Sequence, residues 1–440
     1  MSQEESFRVV IVGASVAGLS LANMLQANNI NFVVLEAYPD VAPQVGASIG
    51  LLPHGNRILD QLGLYKKILD MAPPVNSFTF RDQSDSQLAS YKDMDRSLVE
   101  RNGYPMIFLD RQMLLQVLYD NIKDKSRILT EKRVVKVDLD GDSAITTTSD
   151  GTVFRGDMVI AADGVHSTVR GAMWKLGHQL QPGWFEASEK EGKCISDPCP
   201  GKVPGGLHCV FRDKSSYLIT GGPGGRVYWF RFQRLPRRLH GSEMPRYTQH
   251  ELDNVLSETC DEPILPGLTF STLIKNRVTA VMTPLPEYVY KRGHFSRIFT
   301  LGDSAHKFHP IGGHGGNAAI ETAAALKNSL VNSLKSSSSR RLSTAQIDSI
   351  FAGVHDLRRS RAKSIQDYSH KRQLTEALDN PLRKFIALCL LPLADERDVT
   401  LSYSAQIPSS EKLDMMLLTH REKLVPYKDE LLAVPRSRGK

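Results

Sequence analysis

A β-branched run followed at once by a glycine-rich turn opens the chain and restricts the folds available to it. The run is RVVIV (residues 8–12), the turn is GASVAG (13–18), and apolar residues then recur at helical spacing up to Asn28. A second strand, NFVVLE, ends at Glu36. This order predicts a βαβ unit, whose parallel strands are buried in a layered α/β fold.

The same turn predicts a binding site for the pyrophosphate of a nucleotide. Gly13 permits the tight turn, Gly18 permits close packing of helix on sheet, and the helix N-terminus offers unpaired N–H groups to an anion. Glu36 follows at about the spacing at which a carboxylate binds ribose hydroxyls. Ser15 replaces the usual middle glycine, so its side chain must be accommodated beside the pyrophosphate. A βαβ unit without a ligand is the alternative.

Two later segments repeat the pattern of a strand that ends in a glycine and an acid. MVIAADGVHSTVR runs into Asp163 and ends at Arg170, and RIFTLGDSAH runs into Asp303. Taken alone, the first of these could equally be any buried strand followed by a turn. Three such strands together suggest one cofactor that is contacted from distant parts of the chain.

Three histidines follow the third strand and raise the question of a metal site. His306, His309 and His314 share no recognised zinc spacing, and no cysteine lies near them. We therefore predict no metal. The glycines among these histidines instead indicate a backbone that lies against a flat ligand.

Composition narrows the class of protein further. A length of 440 residues favours two or three domains, and the net charge of +7 is scattered without a basic-aromatic motif, which predicts no nucleic-acid binding. Five cysteines without a CxxC pair indicate a reducing compartment. Because no signal peptide or membrane-spanning stretch is seen, we predict an intracellular protein, cytoplasmic or peripherally membrane-associated. FIALCLLPLA, from Phe385, is predicted to be a buried helix rather than an interfacial anchor.

Together, the three strand-turn segments resemble the FAD-dependent monooxygenases of the aromatic-hydroxylase type. The motifs occur in that family's order and span most of residues 7–330. Five further segments, GLLPHGNRILDQLGLY, FLDRQMLLQVL, GRVYWFRF, SEKLDMM and VPYKDEL, are similar to the fungal branch that epoxidises indole diterpenes, meroterpenoids and polyenes.

The resemblance implies an α/β fold with three parts. A Rossmann-like FAD-binding domain is built from residues 1–75, 101–175 and 290–335, an inserted, mainly antiparallel β substrate domain from 76–100 and 176–289, and a helical C-terminal region from 336–440. The residues support this division, because 78–91 predict a hairpin and 200–232 predict antiparallel strands. Ser343 and Gln346 predict a capping box for a long helix.

The resemblance also implies roles in binding FAD. Glu36 would hold the adenosine ribose, Gly50 and Arg111 would line the cofactor, and Asp303 would face its ribityl and pyrophosphate region. Asp163 belongs to a motif associated with FAD and with the nicotinamide cofactor, as does Arg170.

The flavin ring itself would lie against Gly315 and Gly316, just before a helix opened by Asn317. The N-terminus of that helix would stabilise the negative charge of reduced flavin. His314 stands where the family usually has Gln, and Thr322 where it usually has Asp. We predict altered hydrogen bonding in the loop, but no loss of FAD.

The activity that the resemblance implies is oxygen transfer to a small hydrophobic organic substrate. NADPH or NADH would reduce FAD, O2 would form a flavin C4a-hydroperoxide, and the acceptor would be an alkene of a prenylated or polyene secondary metabolite. Hydroxylation of an activated aromatic ring and a flavin-dependent dehydrogenase or reductase are the alternatives, and a regulatory flavoprotein is a rival of another class. Tyr217 is the catalytic candidate, with an ordinary strand aromatic as the alternative.

Overall fold

The computed structural model describes residues 7–44, 48–185, 205–237, 239, 243–285, 287–337 and 341–433. Strands and helices alternate along the first half of the chain, and helices dominate its end. In chain order the strands are β1 (Arg8–Val12), β2 (Asn31–Leu35), β3 (Ser48–Leu51), β4 (Ser77–Arg81), β5 (Gln87–Tyr91), β6 (Ile107–Asp110), β7 (Ile128–Leu129), β8 (Val134–Asp140), β9 (Ser143–Thr148), β10 (Val153–Gly156), β11 (Met158–Ala161), β12 (Gly206–Arg212), β13 (Ser215–Gly221), β14 (Val227–Gln233), β15 (Pro263–Leu265), β16 (Leu268–Thr269), β17 (Tyr288–Val289), β18 (His294–Phe295), β19 (Ile298–Thr300) and β20 (His306–Lys307). The α-helices are α1 (Val16–Gln26), α2 (Pro53–Gln61), α3 (Tyr65–Met71), α4 (Met94–Asn102), α5 (Arg111–Asp120), α6 (Thr168–Leu180), α7 (Gln249–Glu258), α8 (Phe270–Lys275), α9 (His314–Ser336), α10 (Thr344–Glu376), α11 (Pro381–Phe385), α12 (Glu396–Ser404) and α13 (Lys428–Ala433).

The central sheet has the strand order β18-β19-β11-β1-β2-β7, and every neighbouring pair except β18–β19 is parallel. Strand β1 lies inside the sheet and is buried on both faces. Val9 and Ile11 face one hydrophobic core, whereas Val10 and Val12 face another. This double burial explains the unbroken β-branched run, and it confirms the predicted βαβ unit and Rossmann-like sheet.

Helices cover one face of the central sheet, and a second sheet with α6 covers the other. Helix α9 packs against α1, α2 and α10 on the first face. The antiparallel sheet β10-β9-β8 lies on the other, where α6 packs against β8. The ends of β1, β11 and β19 are therefore held between two packed layers, which fixes the positions of the turns that follow them.

A five-stranded sheet, here called the roof sheet, has the order β14-β13-β12-β4-β5. Its neighbours are antiparallel except for β12 and β4. Both segments that the sequence assigns to the substrate domain contribute strands to it. The predicted, mainly antiparallel second layer is confirmed, while the exact domain boundaries stay a prediction.

The C-terminal region is helical, as predicted. Ser343 and Gln346 form the expected capping box at the start of α10, which is 33 residues long. The prediction of a buried helix at FIALCLLPLA is wrong. That segment contains the last residue of α11, one π-helical turn (Ile386–Leu390) and one 3-10 turn (Leu391–Leu393), and Phe385 and Leu393 are 53% and 79% exposed.

No helix in the described ranges is long and apolar enough to cross a membrane. Three cysteines, Cys209, Cys260 and Cys389, are free thiols. Cys194 and Cys199 lie outside the described residues.

Candidate functional site

The turn after β1 requires glycine at both predicted positions. Gly13 has φ +104°, and a Cβ on it would lie 2.5 Å from the carbonyl oxygen of Ala162. A Cβ on Gly18 would lie 2.0 Å from the carbonyl oxygen of Gly13. Strand β11, helix α1 and the turn therefore approach each other too closely for any larger residue, as the nucleotide-binding interpretation expected.

Glu36 directly follows β2, and its carboxylate lies against the same turn. One oxygen accepts a hydrogen bond of 2.7 Å from the amide of Ala14, and the other accepts one of 3.0 Å from the amide of Tyr38. Ser15 is the N-cap of α1, but its hydroxyl accepts from Nη2 of Arg111 at 2.7 Å instead of capping the helix. Three predicted residues, Glu36, Ser15 and Arg111, are thus brought to one turn.

Gly50 and the start of α9 are joined by Asn317. The Asn317 side-chain amide donates to the carbonyl of Gly50 at 2.8 Å, and its oxygen accepts from the amide of Leu52 at 3.0 Å. A Cβ on Gly50 would lie 2.9 Å from the ring of Phe108. Strand β3 is therefore fixed between its partner β6 and helix α9.

Helix α9 begins at His314, three residues before the predicted start at Asn317. Gly315 and Gly316 therefore belong to its first turn, where backbone N–H groups have no intrahelical acceptor. A Cβ on Gly315 would meet nothing within 4 Å, whereas one on Gly316 would lie 2.5 Å from Cδ1 of Ile49. The open space at Gly315 beside unpaired N–H groups fits a flat cofactor that carries negative charge.

Asp303 follows Gly302 at the end of β19. A Cβ on Gly302 would lie 3.1 Å from Cβ of Ala17 and 3.4 Å from Cβ of Ala319, so the turn sits between α1 and α9. The Asp303 carboxylate pairs with Nζ of Lys307 at 2.5 Å and is 38% exposed. It is thus available at the surface of the same turn-rich region.

Asp163 lies next to the β1 turn, but its carboxylate already has partners. It accepts from Oγ of Ser167 at 2.5 Å and from the amide of Val169 at 3.1 Å, at the start of α6. Burial raises the pKa of Asp163. Arg170 donates to the carbonyls of Ser304 (3.0 Å) and Val165 (2.7 Å), so this motif holds the Asp303 turn in place. A role for Asp163 with the nicotinamide cofactor stays a prediction.

Comparison with known proteins decides the family. A family model described as an FAD binding domain matches residues 6–349. The FAD-dependent monooxygenase andE of Emericella variicolor is 38% identical over 411 residues, which are 91% of this chain and 86% of that protein. The FAD-dependent monooxygenase penM of Penicillium crustosum is 39% identical over 365 residues, which are 82% and 77% of the two chains. This chain belongs to the FAD-dependent monooxygenases.

The fold of the monooxygenase is shared with more distant solved structures. Klebsiella pneumoniae HpxO, complexed with FAD and uric acid, superposes with a TM-score of 0.71 at 20% identity, covering 91% of this chain and 96% of its own. The 2,6-dihydroxypyridine-3-hydroxylase of Arthrobacter nicotinovorans has a TM-score of 0.62 at 17% identity, with coverage of 83% and 92%. These likenesses support the fold, and the enzyme is an oxidoreductase.

The roof sheet of the monooxygenase has two chemically different faces. Its inner face shares one hydrophobic cluster with Leu52 and Ile311, which flank the predicted flavin site. Strand pairing places nine residues of β12, β13 and β14 on this face, and none is charged: Leu207, Cys209, Phe211, Ser216, Leu218, Thr220, Tyr228, Phe230 and Phe232. His208 and Arg231 alternate with them and point to the outer face.

Tyr217 lies on the outer face, so the structure does not bring it to the other predicted site residues. Its ring packs on Phe270 at 5.0 Å, inside a separate hydrophobic cluster. Its hydroxyl donates to the carboxylate of Glu262 and accepts from Nε of Arg231 at 3.1 Å. The catalytic role of Tyr217 stays a prediction without structural support, and the alternative of an ordinary strand aromatic fits this geometry better.

The three histidines of the glycine-rich segment have separate partners. His306 lies 3.4 Å from Oγ1 of Thr322, Nδ1 of His309 accepts from the amide of Ile311 at 3.4 Å, and His314 stacks on His54 at 5.5 Å. Burial lowers the pKa of His306 to about 4 and that of His309 to about 3. Within the described ranges, no group of three His, Cys, Asp or Glu could hold a metal ion.

Two features of the site were not found from the sequence. The cross-link by Asn317 depends on a contact between segments 267 positions apart. The partners of His314, which are His54 and, behind it, Glu321, lie on α2 and further along α9. The unusual residue at position 314 is the one available signal, since it predicts altered hydrogen bonding in this loop.

Proposed function

We propose that this monooxygenase uses NADPH or NADH and O2 to epoxidise an alkene of a small hydrophobic secondary metabolite, of the prenylated or polyene kind. The observation that carries the proposal is the uncharged inner face of the roof sheet, which faces the predicted flavin site through Leu52 and Ile311. An apolar wall of this kind contributes to binding in proportion to the hydrocarbon area that it removes from water.

Specific groups of the chain would hold FAD in place. Glu36 would bind the adenosine ribose, the β1 turn and α1 would face the pyrophosphate, and the first turn of α9 would face the flavin ring. Bound FAD supplies the transfer of electrons from the nicotinamide and the activation of O2. The N–H groups at Gly315 and Gly316 would stabilise the negative charge of the reduced ring.

The face opposite the flavin would orient the substrate and exclude water. An alkene needs no deprotonation before it accepts an electrophilic oxygen atom, whereas a phenol reacts best beside a base or a cation. The nine inner-face positions of β12, β13 and β14 hold no such group, and the charged side chains that reach them are already paired, Arg372 at Cys209 with Glu376 and Asp110 at Tyr228 with Arg226. This favours an alkene over an activated aromatic ring as the acceptor.

The test is product analysis with isotopically heavy O2. Purified protein with FAD and NADPH or NADH is incubated with prenylated aromatics, polyenes and simple phenols, and the products are analysed by mass spectrometry. One heavy oxygen atom in an alkene supports the proposal. Label in phenols alone would replace it with aromatic hydroxylation, and substrate-dependent oxidation of NADPH without label in the product would identify a dehydrogenase or reductase.

A further inference from the structure

A buried ion cluster lies within α9 and α10, behind the predicted flavin site. Glu321 accepts from Nη2 of Arg361 at 2.7 Å, from Nε of Arg361 at 2.8 Å and from Nη2 of Arg358 at 2.5 Å. All three side chains are less than a tenth exposed. One carboxylate thus balances two guanidinium groups, which leaves a formal charge of +1 in a water-poor region.

The groups around the cluster offset that positive charge only in part. His54 lies 4.0 Å from Glu321 and stacks on His314, and burial lowers the pKa of both histidines, that of His54 to about 4. Both rings are therefore neutral near pH 7. Glu411 is a partly buried carboxylate near both Arg358 and Arg361, but it makes no ion pair with either in the described structure, so it offsets the excess charge less than Glu321 does.

The cluster is close to the first turn of α9. Glu321 follows His314 by seven positions on the same helix, which is about 10 Å along its axis. The stacked rings of His54 and His314 lie between Glu321 and the first turn of α9. A fixed charge at this distance, separated by buried rings instead of water, is weakly screened.

We propose that Glu321, Arg358 and Arg361 act as a fixed positive charge that makes FAD easier to reduce, by stabilising the added negative charge of the reduced ring. This rests on the part of the proposed function that places the flavin ring at Gly315 and Gly316. The three residues touch neither cofactor nor substrate in this scheme, so their role is electrostatic.

The test is a series of variants that changes the charge at one place. Arg358→Met and Arg361→Met each leave one balanced ion pair, while Glu321→Gln leaves two cations. Arg359→Met is the matched control, because Arg359 is the next residue on α10 and is exposed. The measurement is the reduction midpoint of the bound flavin, taken by spectroscopic titration without substrate.

We expect each buried arginine variant to lower the ratio of reduced to oxidised FAD about tenfold at a fixed applied potential, from a unit charge about 10 Å away. Glu321→Gln should raise the ratio, and Arg359→Met should leave it near the wild-type value. Arg358 and Arg361 make different contacts, so equal shifts in the two variants would indicate charge and not local packing.

A lower melting temperature with an unchanged midpoint in both arginine variants would overturn the proposal, because the cluster would then only hold α10 on α9. If the midpoints follow the charge but wild-type enzyme places no heavy oxygen in any product, the inference stands and the epoxidase proposal fails. Protein that retains no FAD would overturn both.

Discussion

The Asn317 side-chain amide donates to the carbonyl of Gly50 across 267 positions of sequence, and its oxygen accepts from the amide of Leu52. One buried side chain therefore holds β3 against the first turn of α9, the two elements between which the flavin ring is expected. Loss of these bonds leaves buried backbone groups unpaired, which costs about 1–3 kcal/mol for each group.

We expect Asn317→Ala to weaken FAD binding about tenfold or more, because β3 and α9 lose the hydrogen bonds that fix their relative position. The measurement is fluorescence titration of the apoprotein with FAD. Asn328→Ala is the control: Asn328 lies on the same helix, is also buried, and bonds to Lys412 and Asp414 away from the site. It should lower stability and spare FAD binding. Equal losses of affinity in the two variants would contradict a specific role for Asn317.

The open space at Gly315 gives a second prediction. Gly315→Ala should leave the apoprotein as stable as wild type, or more stable by up to about 1 kcal/mol, because alanine favours the helix and its Cβ meets nothing. The added methyl group would occupy the space of the flavin and weaken FAD binding about tenfold.

Gly353→Ala on α10 is the matched control for Gly315→Ala, since its Cβ also meets nothing. It should change helix stability in the same direction and leave FAD binding unchanged. Thermal unfolding and FAD titration of the two apoproteins separate these effects. Normal FAD affinity in Gly315→Ala would place the flavin ring elsewhere.

Tyr217→Phe tests the catalytic candidate. From its position on the outer face we expect lower stability, by about 1–3 kcal/mol, because Glu262 and Arg231 lose their hydroxyl partner. The turnover rate of FAD-loaded enzyme should stay near the wild-type value. A large fall in kcat at unchanged stability would instead establish a catalytic role.

Tyr228→Phe is the comparison from the inner face. The Tyr228 side chain is buried, and burial together with the nearby Asp110 carboxylate raises its pKa. We expect this variant to change KM or kcat more than stability. Tyr217→Phe and Tyr228→Phe together therefore report which face of the roof sheet contacts substrate.

Buried histidines predict that the fold weakens in mild acid. Burial lowers the pKa from 6.5 to about 4 for His54, His208, His294 and His306, and to about 3 for His309. Between pH 6.5 and 4 the unfolded chain binds protons at these positions and the folded chain does not. The free energy of unfolding should therefore fall as the pH falls, by up to about 1.4 kcal/mol per pH unit for each histidine.

The variant His306→Asn measures the contribution of one histidine alone. It separates this contribution from that of carboxyl groups whose pKa is raised, such as Asp163 and Glu376. Urea unfolding at pH 7 and pH 5 should show a smaller pH dependence in this variant than in wild type. The exposed His250 provides the control His250→Asn, which should keep the wild-type dependence. An unchanged slope in His306→Asn would mean that the buried ring is protonated in the folded protein.

The βαβ unit of the FAD-binding domain could be predicted because its contacts are local in sequence. Gly13 and Gly18 are required by contacts within one βαβ unit, so a short stretch of sequence contains the information. The sequence predicts the start of α9 three residues too late, because glycine is a poor helix former and Gly315 and Gly316 therefore favour a loop.

The orientation of Tyr217 is harder to predict because apolar and polar residues do not alternate along β13. Tyr217, Leu218 and Ile219 are all apolar and all buried, so the pattern does not say which residue faces the flavin. A shift of one residue moves every side chain of a strand to the other face. The contact between Asn317 and Gly50 has no local signature either, since it exists only after the chain has folded.

The distance in sequence between Gly50 and Asn317 also bears on how the enzyme matures in the cell. The ribosome must release more than two-thirds of the chain before both sides of the flavin site exist. Contacts between residues so far apart in sequence form slowly, and the apolar strands that are synthesised early stay unpaired until the later segments are made. The complete flavin site therefore forms only late in synthesis, after the start of α9 has been made.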